Sequence, residues 1–495
     1  MQICEKRSGK RIILEHVGSA HSPVELALLE SEARRRLVPE GQQELDLGIA
    51  SGTKDSLVRP VPTAYQAKAT GSASRVLWEV LENAYRRIGF DAVGDEVFKQ
   101  LVLARVVEPA SKSDTPRVLT SLGVSSFSVR TFHRCLERVV DLDYQDKVCR
   151  AAFKYATGQG RLALVLFDTT TLHFESEKAD ELRAMGRSKE GRFGPQVQYG
   201  LLTDRTGFPL EFVLFPGNKG ETRYFVPVIQ ALVDRHGSEI EDLVIVADAG
   251  ILSAANCAAL EELGLYFIVG SKTSSAKQDL LQVLEEDQVA GPFMDGQVFE
   301  TSRIMTHQGQ ETRRRVVYQY RQKRAARDQK VLEDQKAYAL KVQDQPSRLS
   351  KAKFVTVTGK TARFNEALYD QAVARAGLKG YVTNLPESFS GSEITAWYAD
   401  LFQIERSFRM TKSDLAGRPF YHHTAKAITA HLVIVFTALA VARYLQTATN
   451  TSIGQILKDL KPLRDVTIEI GGTQQTLPSH IPEQFHHYLK TEPGH

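Results

Sequence analysis

Residues 164–176 read LVLFDTTTLHFES: four apolar residues, Leu164 to Phe167, then the carboxylate of Asp168 and three threonines. An apolar run of this length is expected to be a strand buried on both faces. A buried strand that meets a carboxylate is either a polar turn, since Asp and Thr favour strand ends, or a ligand displayed at the strand's end. The pattern recurs in DLVIVADAG, where another apolar run ends at Asp248. In an open α/β sheet, ligands gather at the carboxyl ends of neighbouring strands. If these two strands are adjacent their carboxylates converge, and like charges in one place call for a cation. Donors that are all oxygen suit Mg²⁺ or Mn²⁺, not zinc.

A third acid lies further along, in SEITAWYADLFQIERSFRMTKSDL, which the pattern predicts to be one long helix. Tyr398, Glu405, Arg409 and Lys412 follow each other at seven, four and three residues, so they share a helical stripe. Such a stripe is either an ordinary i,i+4 ion pair, worth a few tenths of a kcal/mol, or a device for phosphodiester chemistry. In the second case Glu405 completes a metal site while Arg409 and Lys412 reach for flanking phosphates.

These residues need elements to position them. Three strand patterns (RLALVLFD, PQVQYGLLTD, GFPLEFVLFPG) precede a helix at 222–237, the Asp248 strand, a helix near 253–263 and the strand LYFIVG. That is a mixed α/β order in which the first and fourth strands both end in aspartate. Upstream, residues 73–157 have helical periodicity, with Val76, Leu77, Val80, Leu81, Ala84, Tyr85 and Ile88 on one face. Within it, TPRVLTSLGVSSFSVRTFHRCLERVV reads as a helix-turn-helix. Arg130, Arg134 and Arg138 share a face there that suits a DNA major groove, or else a solvated helix face. Residues 1–72 read as a strand, a capped helix and a polar linker from 39 to 72.

The sheet order is interrupted at 271–380. Residues 301–360 carry fifteen Lys and Arg against five Asp and Glu, an excess hidden in the whole-chain charge of +4. The stretch RRRVVYQYRQKR, which opens with Arg313 and Arg315, alternates, and Tyr318 and Tyr320 lie among its bases. This reads as a half-exposed strand suited to nucleic acid, or as a solvated charged insertion.

Bulk properties set the frame. A chain of 495 residues exceeds one core, and its 42% hydrophobic and 25% charged residues are those of a soluble globular protein. Four scattered cysteines indicate neither a zinc site nor a disulfide framework, and a reducing cytosol is the expected compartment. No apolar segment with a cleavage site opens the sequence, and the longest apolar run, LVIVFTALAVA at 432–442, is too short to span a bilayer. It reads as a buried helix, with no membrane partner.

Two strand-terminal aspartates followed by a helix of the form Tyr-x2-Arg-x3-Glu-x6-Lys resemble the DDE transposases of bacterial insertion sequences, and more narrowly their hairpin-forming branch. Tyr398, Glu405 and Lys412 match the signature, whereas Leu401 stands in the arginine position. FDTTTLHFES and VADAGILS resemble the contexts of the first two catalytic aspartates. The likeness covers roughly 90–445.

The resemblance implies an RNase H-like catalytic core with a mixed sheet in two parts, 160–270 and 381–447. A basic insertion domain, 271–380, interrupts it, a mainly helical N-terminal domain, 73–157, precedes it, and a tail, 448–495, follows. It also implies catalysis and metal binding by Asp168, Asp248 and Glu405 with two Mg²⁺ or Mn²⁺ ions, Asp168 bridging both. Tyr398, Arg409, Lys412, Arg130, Arg134, Arg138, Arg313 and Arg315 are then the expected DNA contacts. The implied partners are double-stranded DNA (terminal inverted repeats and target) and a second protomer, in a bacterial cytoplasm beside the nucleoid. Two rivals are another RNase H-like nuclease and a transposase-derived DNA-binding protein without catalysis. A carboxylate-pair sugar hydrolase leaves the arginines and lysine unexplained.

Overall fold

The computed structural model describes residues 2–7, 10–20, 67–158, 164–174, 180, 182–187, 193–218, 222–240, 242–271, 293–343, 352–358, 361–415, 417, 424–470 and 472–489, with isolated positions at Leu26, Leu29, Glu32 and Ala33. Residues 1–66 and 67–495 are separate units. In the first, β1 (Gln2–Arg7) and β2 (Lys10–His16) form an antiparallel hairpin. The linker expected at 39–72 lies outside the described residues up to 66, and its end is not a linker but strand β3 (Lys68–Ala73).

The second unit is organised by a nine-stranded sheet. Its first four strands are β4 (Leu164–His173), β5 (Ala184–Arg187), β6 (Phe193–Thr203) and β7 (Pro209–Pro216). β4 and β7 pair antiparallel with opposite edges of β6, and β5 continues along the β7 edge over Phe193–Gln196. The helix Thr222–His236 then leads to β8 (Val244–Ala247), and the helix Ala254–Glu262 to β9 (Tyr266–Ser271). β8 lies parallel to both β4 and β9. All four residues of β8 are buried, as are Leu164 to Phe167, so these apolar runs are the central strands. The order β7-β6-β4-β8-β9, three antiparallel strands and then two parallel ones joined through helices, is an RNase H-like core.

The basic stretch extends this sheet. β10 (Val298–His307) and β11 (Gln310–Tyr320) form a hairpin, followed by the exposed helix Gln322–Gln343. β12 (Val355–Thr358) and β13 (Thr361–Phe364) make a small hairpin of their own. β14 (Leu378–Thr383) then returns between β9 and β11, antiparallel to both. Residues 272–292 of this stretch lie outside the described set.

Five α-helices between Arg75 and Gly158, with a short 3-10 turn at Phe90–Val93, pack in the same unit as the sheet. Arg75–Ile88 buries the seven apolar residues its periodicity marks. The long helix Ala425–Thr449 is apolar enough by length and composition to cross a membrane, yet most of it is buried. Its apolar surface is covered by Glu96–Val107, Val129–Asp141 and β7. The C-terminal stretch adds the helix Ile453–Leu460 and a hairpin of β15 (Asp465–Ile470) and β16 (Thr473–Leu477), with β15 paired to β3.

Asp95 ties three of these helices together. Its Oδ1 accepts from the backbone N–H of Val97 (2.9 Å) and Phe98 (3.1 Å), capping Glu96–Val107. Its Oδ2 accepts from Arg138 Nη2 (2.7 Å) and Tyr144 Oη (2.9 Å). Burial works to raise this carboxyl, but the hydrogen bonds from Arg138, Tyr144 and Phe98 outweigh it and hold the group below the usual carboxylate range. Asp95→Asn is therefore expected to cost about 2 kcal/mol at neutral pH. Because the native value is depressed, the deficit is full above the unfolded carboxyl value near ~4 and disappears as pH falls through the native one. Denaturant melts of both proteins between neutral pH and pH ~3 check this; a deficit independent of pH refutes it.

Candidate active site

Asp168 and Asp248 are set by one register. β4 and β8 pair from Leu164–Val244 to Phe167–Ala247, so the two aspartates occupy the next step on adjacent parallel strands. β4 does not end at Asp168, as the sequence reading had it. It continues to His173 through pairing with β6, while β8 stops at Ala247. Asp168 thus emerges in mid-strand, where the sheet loses one neighbour. The Thr169 backbone N–H donates to its Oδ1 at 2.7 Å, and Thr169 to Thr171 are buried.

Asp248 is exposed but held. The Tyr398 hydroxyl donates to its Oδ1 at 3.0 Å. Tyr398 is buried, with its ring 4.6 Å from that of Tyr381. Burial first, then the charge and hydrogen bond of Asp248, push the phenol far above its ordinary value, so it stays a neutral donor. The same phenol senses the charge of Asp168. Space for it comes from Gly270 in β9, where a Cβ would lie 2.6 Å from the Tyr398 oxygen and 3.0 Å from the Ala249 nitrogen.

The expected long helix is two. Gly391–Ala399 starts at a capping box between Ser390 and Glu393. It closes with tight turns, Asp400 N–H to Trp397 O and Leu401 N–H to Tyr398 O. Phe402–Arg409 follows, then a π-turn over Met410–Asp414 that carries Lys412. The break divides the expected stripe: Tyr398 points into the core, while Glu405 and Arg409 are exposed. Leu401, in the arginine position of the signature, is buried at the break.

Glu405 is aimed by what lies beneath its helix. Ile404, Ser407 and Phe408 are buried, and Ser407 Oγ donates to the Gly207 carbonyl at 2.7 Å. Gly207 lies in the turn between β6 and β7 at φ +83°, a conformation that favours glycine. Arg443 of the long helix donates to the carbonyls of Gly207 (3.2 Å) and Thr206.

Asp168, Thr170, Glu405, Arg409 and Lys412 line one cleft of about 290 Å³; Asp248 lies outside its wall, tied to Tyr398. Among the described residues no three acidic, imidazole or thiol groups form a ready-made metal cage. Mg²⁺ does not need one, since it keeps waters and takes one or two carboxylates together with substrate phosphates. An all-oxygen pair, Asp168 and Glu405, opening on a cleft with two cations fits that demand.

The remaining candidates divide. Arg130 and Arg134 are exposed on the helix Val129–Asp141, whereas Arg138 is engaged by Asp95. Arg313 is exposed and donates to Ser302 Oγ at 2.6 Å. Arg315 grips Glu300 with two bonds, 2.8 and 2.6 Å, and also donates to the carbonyls of Pro386 and Phe389. Tyr318, expected among bases on a nucleic-acid surface, is fully buried. The chain from Leu122 to Ser128 between the two expected helix-turn-helix helices is longer than the usual three- or four-residue turn. His422 and His423, assigned no role by their spacing, lie outside the described residues.

The RNase H-like sheet thus sets Asp168 and Asp248 at one register step, and Asp168 shares its cleft with a glutamate and two cations. The family model described as "Transposase DDE domain" matches residues 160–441, more than half of the chain, and the protein belongs to that family of DDE transposases. Among solved structures it is similar to a piggyBac transposase in a synaptic complex with hairpin DNA, at 12% identity and a TM-score of 0.40. That match covers 76% of this chain and 70% of the other. No curated protein matches the sequence.

Two positioning residues escaped the sequence reading: Gly207 and Gly270. A glycine inside the apolar strand β9 was the only signal for the second. Tyr398→Phe removes the donor to Asp248 and is expected to lower DNA cleavage by about tenfold, the scale of other supporting shells around metal ligands. Gly270→Ala displaces the same hydroxyl and should reproduce that loss, with DNA binding by both variants kept. Cleavage at the wild-type rate by either variant removes Tyr398 from the support of Asp248.

Proposed function

We propose that this transposase is encoded by a bacterial insertion sequence, cuts DNA at the element's ends and joins the freed 3′ ends to target DNA. The observation that supports this most is the step from Phe167 and Ala247 to Asp168 and Asp248 on parallel strands, with Glu405 sharing a cleft with Asp168, Arg409 and Lys412. Asp168, Asp248 and Glu405 hold two divalent ions, Mg²⁺ or Mn²⁺. When bound, such ions lower the pKa of an attacking water and neutralise charge at phosphorus. Tyr398 keeps Asp248 oriented by its hydrogen bond. Arg409 and Lys412 bind phosphates beside the scissile bond, and Arg130, Arg134 and Arg313 contact DNA farther away. A hairpin intermediate, a homodimer on paired ends and a place beside the bacterial nucleoid extend the reading from the resemblance of the Tyr398–Lys412 segment alone.

The test is cleavage and strand transfer on duplexes carrying the element's terminal repeats, with Mg²⁺ or Mn²⁺. Wild type should cut and join, while Asp168→Asn, Asp248→Asn and Glu405→Gln should bind DNA yet lose about a thousandfold or more in rate. A variant that keeps full activity shows its carboxylate wrongly assigned. Wild type that binds the ends without cutting them under either ion is a DNA-binding protein whose catalysis has lapsed.

A further inference from the structure

We propose that Lys379, with Arg324 beside it, forms a second binding position for a DNA backbone phosphate, on the Asp248 side of the site. It is carried by different elements from Arg409 and Lys412. This deepens the transposase reading and rests on it.

Lys379 belongs to β14, opposite Gln319 of β11. Its Nζ lies 4.2 Å from the centroid of the Tyr398 ring and 5.8 Å from that of Tyr381. Tyr398 is the residue whose hydroxyl holds Asp248, so the ammonium sits directly over the support of a catalytic acid. Burial and the charge of Arg324 press its pKa down, while the charges of Asp248 and Glu405 press it up. Lys379 is therefore within electrostatic reach of both carboxylates and of a second cation.

Arg324 lies in the first turn of the exposed helix Gln322–Gln343, and among the described residues its ion pair is with Asp328, at 3.5 Å. Asp328 is also engaged by the Gly377 N–H, at 3.1 Å. Arg321 adds a third positive charge near Tyr381 and meets Asp295 only at 3.8 Å. Among the described residues Lys379 forms no ion pair, and its contacts are the two ring faces. A lysine kept only to neutralise acids would be expected to close on one of them. Here the aromatic faces hold the cation in place and leave ammonium donors for an outside acceptor. A lysine stem held in this way loses less freedom on binding than one fully exposed. The outside acceptor those donors fit is a phosphate oxygen of the bound strand.

The experiment uses the full chain with Asp168→Asn as parent, in EDTA, so that no cleavage intervenes. Binding to a duplex ending in the element's terminal repeat is measured across a salt series, with melting temperature recorded for each variant. In that parent, Lys379→Gln is expected to weaken binding several-fold and to reduce the slope of log affinity on log salt by about 0.9, one phosphate contact. Arg324→Gln should act in the same direction, and Lys379→Arg should restore the slope. An unchanged slope in Lys379→Gln with a lowered melting temperature makes the lysine structural and overturns the proposal while the transposase reading stands. A parent that shows no salt-dependent binding removes the DNA reading, and this proposal with it.

Discussion

The parallel register of β4 against β8 is the constraint on which the rest depends. It places two carboxylates one step beyond the last backbone pair, where like charges repel. A flexible loop would relieve that repulsion by moving apart. A strand buried from Leu164 to Phe167, beside another buried from Val244 to Ala247, cannot do so without breaking the central sheet. The repulsion is therefore retained, and what relieves it is positive charge brought to the site.

Around that fixed pair, each further element limits one degree of freedom. Tyr398 holds Asp248 from below, and Gly270 supplies the room for its hydroxyl. The break at Asp400–Leu401 turns the chain so that Tyr398 faces the core while Glu405 faces the cleft. A continuous helix would have put both on one stripe, leaving no donor behind Asp248. The same break explains a buried Leu401, since a residue at the inner corner of two packed helices meets apolar neighbours. The turn at Gly207 then fixes the second helix through Ser407. The β6–β7 hairpin and the long C-terminal helix thereby act on Glu405 without touching the cleft.

Much of this was legible in the sequence, and the parts that were not share one cause. Period and composition marked the strands around Asp168 and Asp248, the apolar face of Arg75–Ile88 and the burial of Leu432 to Ala442, because burial leaves a local pattern in residue type. The break at Leu401 has no such mark: Ala399, Asp400 and Leu401 all sit comfortably in a helix, and only packing beneath the sheet divides it. Tyr318 misled for the opposite reason. Its polar character suggested an exposed face, but it is buried and takes a hydrogen bond from Arg303, while Arg314 beside it is buried against Glu261, with bonds of 2.9 and 2.7 Å. Partners 53 and 15 residues away satisfy these groups, and no local pattern announces them.

The charge excess of residues 301–360 consequently has two uses. Arg314 and Arg315 serve the sheet extension, locking β11 to the helix Ala254–Glu262 and to β10. A residue taken up in this way offers little to a phosphate, because its removal would first leave Glu261 or Glu300 without its partner. Arg324 in the first turn of the helix Gln322–Gln343 carries a lighter obligation, because its partner Asp328 is also engaged by the Gly377 N–H. The basic segment is therefore divided by side: the strand is bound inward, and Arg324 in the first turn of the helix lies close enough to Lys379 to act on its charge. The fold needs that division because β14 must complete the sheet beside β9 and still bring positive charge up to a site built from repelling carboxylates.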